Sequence, residues 1–165
     1  MKIQIRQGVF ETNSSSTHAI CICMDNLDKR KFLDKVEFKH GDFSWDFKVY
    51  KNVVDKASYL YQAICDICSD KQKNEYINKL YSTLGKYGID SSFDDKDKDG
   101  FLIGYIDHSY NLKDFIEKIM KNEKRLLRFL FGNSEVVTGN DNTDHFRKYM
   151  ESKSFKNYEV YYKGN

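Results

Sequence analysis

The chain has 165 residues and a mass of 19.5 kDa, with 40% apolar and 15% aromatic residues. That composition excludes a disordered chain and fits a single domain around one core. The 27 basic and 25 acidic side chains nearly cancel to a net +2, so no global field steers the protein to nucleic acid or a membrane, and any charged patch is local.

No apolar run approaches the ~18 to 20 residues of a membrane-spanning helix. Lys2 and Arg6 flank no leader-like apolar stretch, so the expected setting is the cytoplasm, with no membrane partner. In that reducing environment Cys21, Cys23, Cys65 and Cys68 are expected as thiols rather than disulfides. The chain contains no proline, so its turns rest on Gly, Asn, Asp and Ser.

From the N-terminus, Ile3 and Ile5 alternate with Lys2, Gln4 and Arg6, and residues 17 to 23 alternate again, which predicts two half-buried strands. Between them runs Glu11-Thr12-Asn13-Ser14-Ser15-Ser16-Thr17-His18, denser in polar groups than solubility requires. Val36 and Phe38, a Gly41-Asp42 turn, then Phe43, Trp45, Phe47 and Val49 predict a β-hairpin. The period then changes to that of a helix at Val53, Ala57, Leu60, Tyr61, Ile64 and Cys68. A second helix follows through Tyr76, Ile77, Leu80, Tyr81, Leu84 and Tyr87, ended by Gly88.

Residues 91 to 100 read as an acidic loop, and Phe101, Ile103 and Tyr105 as a strand running into Asp107-His108-Ser109. One long helix, capped by Ser109 or Asn111, carries Leu112, Phe115, Ile116, Ile119, Leu126, Leu127 and Leu130 inward to a stop at Gly132. Val136 and Val137 form a short strand that ends in Thr138-Gly139-Asn140-Asp141-Asn142. A short helix (Phe146, Tyr149, Met150) and a last strand (Tyr158, Val160, Tyr162) complete the chain. This order predicts one α+β domain over residues 1–165, a largely antiparallel sheet of about five to seven strands with about three to four helices packed on it.

Three polar clusters sit at strand ends. If those ends lie together, one cleft gathers imidazoles, hydroxyls, amides and carboxylates from distant parts of the chain. His18 and His108 are then the candidate catalytic groups, able to exchange protons near neutral pH, with Asp107 or Asp141 orienting an imidazole. Arg6, Glu11, Asn13, Ser14, Ser15, Ser16, Ser109, Asn140, Asp141 and Asn142 are the candidate ligand-binding groups, since hydroxyls beside backbone N–H groups suit phosphate oxygens. The expected ligand is nucleotide-like or phosphorylated, either bound or hydrolysed. No Gly-x-Ser-x-Gly turn supports a serine nucleophile. Capping and turn formation explain each cluster taken alone, and a hydrogen-bonded structural role explains each His.

Val9-Phe10-Glu11-Thr12-Asn13-Ser14-Ser15-Ser16-Thr17-His18, preceded by Ile5-Arg6, resembles the opening of small uncharacterised proteins of low-GC Gram-positive bacteria and their phages. Ile106-Asp107-His108-Ser109 and Thr138-Gly139-Asn140-Asp141-Asn142 are similar to later motifs of that group. The resemblance implies a phage or mobile-element setting and carries over no catalytic role. With it comes an alternative expectation, a non-enzymatic inhibitor of anti-defence or anti-CRISPR type that binds a host protein or nucleoprotein complex.

Three further patterns carry chemistry. Asp95, Asp97, Asp99 and Gly100 match the start of a calcium loop, but Ile106 stands where its bidentate Glu belongs, so Ca2+ is weighed against a solvated acidic turn. Cys21-x-Cys23 and Cys65-x-x-Cys68 match four-sulfur zinc spacing but lack flanking glycines, and buried thiols are preferred. Lys118, Lys121, Lys124, Arg125 and Arg128 share one face of the long helix, where they can meet phosphates or an acidic partner. They equally suit the helix dipole, and direct nucleic-acid binding is not favoured.

Overall fold

The computed structural model describes residues 16–43, 45–94, 104–107, 112–140 and 143–163. In chain order these form β1 (Ser16–Cys23), β2 (Lys35–Phe38), β3 (Lys48–Tyr50), α1 (Val53–Ile67), α2 (Asp70–Gly85) and β4 (Asp90–Phe93). They continue with α3 (Lys113–Lys121), α4 (Glu123–Phe131), β5 (Glu135–Asn140), α5 (Asp144–Ser152) and β6 (Tyr158–Lys163). The fold is α+β. A four-stranded antiparallel sheet in the order β3-β5-β1-β6 lies beside a parallel pair, β2-β4, so among the described residues the main sheet is smaller than expected. No helix among these residues is long and apolar enough to cross a membrane.

β1 is central because alternation along it serves two covered faces. Ile20 and Ile22 join Val136 in the large core with side chains of α1, α3 and α4, while Ala19 and Cys21 join Val137 and Phe146 of α5. Each Ile-sized side chain buried there contributes roughly 1.5 to 3 kcal/mol. α1 starts where the Asn52 side chain accepts the Asp55 N–H at 2.8 Å, and Ser69 and Gln72 cap α2 reciprocally. Gly88 takes φ +71° just past α2, a conformation that glycine adopts without strain.

Three expectations are corrected. The 36–49 hairpin does not form: β2 runs parallel to β4, with Phe38 beside Phe93, whereas β3 pairs with β5. The Gly41 N–H goes to Gln62 Oε1 at 3.3 Å, and α1 and α2 supply the crossover that parallel pairing needs. Of the residues read as an acidic loop, 91–93 belong to β4, and 95–100 lie outside the described residues. The long helix breaks at Asn122, which is extended and whose Oδ1 accepts the Arg125 N–H at 3.0 Å, starting α4 afresh. The strand predicted over residues 2–6 and most of that over 101–105 lie outside the described residues; Tyr105 is half exposed, and Ile106 makes a single parallel bridge to Phe43.

Candidate functional site

The register of β1 and β5 sets Ser16 opposite Asn140 and His18 opposite Thr138. Ser16 Oγ donates to the Asp107 carbonyl at 3.4 Å across 91 residues of sequence. Members of the three polar clusters therefore meet at one end of the main sheet. A fourth segment closes the arrangement, since Asn140 Nδ2 donates to the Trp45 carbonyl at 2.9 Å and Thr138 Oγ1 to the Asp46 carbonyl at 2.7 Å. Trp45 itself is 48% exposed.

The segment bearing Asp107 is held by a polar knot that sequence reasoning missed. Gln62 on α1 donates from Nε2 to the Gly104 carbonyl at 2.8 Å and to Asp66 Oδ1 at 2.7 Å, and Asp66 Oδ2 accepts the Ile106 N–H at 2.7 Å. Those bonds make Gln62 Oε1 the acceptor, so His40 Nδ1, 2.9 Å away, carries the hydrogen. The Phe43 N–H completes the docking by donating to the Tyr105 carbonyl at 2.9 Å. Gly104 permits this approach, because a Cβ there would stand 2.5 Å from the Gly41 carbonyl oxygen.

His18 does not reach the surface at this end of the sheet. Its ring shares the helix-covered face of β1 with Ile20 and Ile22, is fully buried, and lies with Nδ1 2.9 Å from the Tyr59 hydroxyl. Burial holds the Tyr59 hydroxyl well above its ordinary pKa, which keeps it a neutral hydrogen-bonding partner. His18 is thus enclosed on the helix-covered face of β1, two residues from Ser16. Ser16 is buried, and Asp107 and Asn140 are half-buried.

Arg6, Glu11, Asn13, Ser14, Ser15, His108, Ser109, Asp141 and Asn142 lie outside the described residues, as do Asp95, Asp97 and Asp99 of the calcium-like loop. Among the described residues no group of three or more His, Cys, Asp or Glu side chains is placed to hold a metal ion. Cys21 and Cys23 are buried. Burial, reinforced by Glu135, pushes the Cys21 thiol up to about 12, and burial also raises Cys65 and Cys68.

The predicted basic stripe is divided by the break at Asn122. Lys121 pairs with Glu117 at 3.0 Å, Arg125 with Glu159 at 2.8 Å, and Lys118 sits 5.1 Å above the Tyr161 ring. Two buried charges also escaped the sequence reading. Lys56 on α1 donates to the Gly132 and Ser134 carbonyls at 3.0 and 3.1 Å, and burial lowers its pKa to about 8. Glu135 on β5 accepts from Lys153 at 2.5 Å and Tyr149 at 3.0 Å. The available signal was position, since Lys56 falls on the apolar stripe of α1 and Glu135 shares its strand face with Val137.

Comparison of the chain with protein-family models, curated proteins and solved structures gave no match.

Proposed function

We propose that the protein binds a nucleotide-like or phosphorylated small molecule at the mouth formed by Ser16, Asp107 and Asn140. The observation carrying this reading is their meeting: strand register joins Ser16 to Asn140, and a 3.4 Å hydrogen bond joins Ser16 to Asp107. Turn-forming and capping roles need no common location, whereas a ligand site does. The half-buried Asp107 and Asn140 side chains border this meeting point, and the segment fixed to Asn140 carries the exposed Trp45 indole, a surface for a flat ring. With His18 in the core, binding without turnover is the preferred form of the reading, in the cytoplasm of a host cell if the phage-like setting holds.

Melting temperature and turnover are measured with a panel of nucleotides and cyclic nucleotides. At least one ligand raises the melting temperature, and Asp107→Ala combined with Asn140→Ala removes that shift. No shift with the wild-type protein, or an equal shift with the double variant, contradicts the proposal.

A second reading is favoured by one observation. Trp45, Phe47 and Tyr105, on the segments framing the mouth, are 48%, 37% and 50% exposed, and such aromatics commonly anchor protein interfaces. An inhibitor that binds a host protein or nucleoprotein complex, of anti-defence or anti-CRISPR type, would use them. A stable complex in bacterial lysate that is lost in Trp45→Ala with Tyr105→Ala supports this reading, and its persistence in that variant opposes it.

A further inference from the structure

At the opposite end of β1, about 25 Å from Ser16 at ~3.3 Å per strand residue, the chain enters a cleft of different chemistry. The cleft, about 330 Å³, lies between the segment after β1, the turn after α2, and α4. Its apolar lining includes Phe32, Tyr87 and Leu127, with the two rings edge to face at 5.6 Å. Lys29, Lys124 and Arg128 line it too, and Lys29 Nζ stands 5.9 Å from the centre of the Tyr87 ring.

Among the described residues no carboxylate lines this cleft, and none of its three cations is ion-paired. The acids nearest in sequence are engaged elsewhere. Asp28 is bound by Arg30 at 2.9 Å, and Glu123 is bound by Lys86 at 2.7 Å and the Tyr87 hydroxyl at 2.8 Å. The Asp25 carboxylate accepts from Asn157 at 3.2 Å, while its carbonyl accepts from Arg128 Nε at 3.2 Å, which orients the guanidinium and leaves its terminal nitrogens available. Neighbouring cations on α3 and α4 are matched instead, Lys121 by Glu117 and Arg125 by Glu159.

Three like charges around a concave space lined by half-buried rings are balanced best by an anion with an apolar part. The volume falls in the range of small-molecule sites, roughly 300 to 1,000 Å³. We propose that this cleft is a second binding site, separate from the strand mouth, for an organic phosphate. Its flat group rests against Tyr87 and Phe32, and its phosphate oxygens meet Lys29, Lys124 and Arg128.

Calorimetric titration of the full chain with adenosine 5′-diphosphate, pyrophosphate and adenosine tests the assignment. Adenosine diphosphate binds most tightly, because only it presents both a ring and phosphates. The exposed pair Lys29→Ala and Lys124→Ala weakens it roughly tenfold or more, as loss of two charge-assisted contacts requires. The titrations are repeated on the Asp107→Ala, Asn140→Ala protein, which removes any binding at the mouth, and the lysine-dependent binding of the diphosphate persists there. The assignment is overturned by adenosine binding as well as the diphosphate, by no saturable binding, or by affinity that survives the lysine substitutions. It is equally overturned if short single-stranded DNA displaces the diphosphate and binds more tightly, which would make this face a nucleic-acid surface.

Discussion

On one face of the four-stranded sheet, Ile20, Ile22 and Val136 pack into a core that runs through α1, α3 and α4; on the other, α5 places Phe146 over Ala19, Cys21 and Val137. The first face is thick enough to enclose an imidazole and bond it to Tyr59 without exposure. The second depends on fit and charge. Gly139 lets Phe146 come so near that a Cβ would stand 2.8 Å from it, and buried Glu135 ties β5 to Tyr149 and Lys153 near the end of α5. One alternating strand thus serves two stabilising mechanisms, apolar burial above and a hydrogen-bonded ion pair below.

The largest expected effect lies on the thick face. Ile20→Ala loses about 3 to 4 kcal/mol in urea unfolding, the sum of lost transfer energy and an unfilled cavity. A loss under about 1 kcal/mol would mean that this face is loosely packed.

Next comes a pH effect at Lys56, whose pKa burial lowers from 10.5 to about 8 while Glu135 opposes the shift. Between those values the unfolded chain binds more protons than the folded one, so stability rises with pH. The contribution is complete above the unfolded value and is lost as pH falls through the folded one. Its size is on the order of 3 kcal/mol. Unfolding at pH 7.5 and 9.5 shows wild-type stability rising relative to Lys56→Met; parallel profiles would contradict the buried charge.

The smallest effect falls on the thin face. Glu135→Ala costs about 2 kcal/mol, because the Lys153 side chain, one-third exposed, can turn to water. A larger loss than that of Ile20→Ala would reverse the comparison between the faces.

Much of this was readable from residue order. The parity of β1 puts His18 on the side of Ile20 and Ile22, which already points to the core. The break at Asn122 was legible too: after Ile119 and Met120 the next turn offers Glu123 and Lys124 where a continuous helix would bury apolar groups. Pairing was not legible. Alternation at Val36, Phe38 and Val49 states which sides are buried and says nothing of which strand lies alongside, so a parallel partner 55 residues away, Phe93 beside Phe38, replaced the hairpin. The meeting of Ser16, Asp107 and Asn140 depends on that same long-range pairing, and the knot of His40, Gln62 and Asp66 that positions Asp107 has no periodic signature.

The most direct test of the strand-mouth proposal maps amide chemical shifts of the wild-type protein during titration with whichever panel nucleotide raises its melting temperature most. Binding at the mouth predicts saturable shifts concentrated at Ser16 to His18, Tyr105 to Asp107 and Thr138 to Asn140. Saturation with those amides unmoved would contradict it.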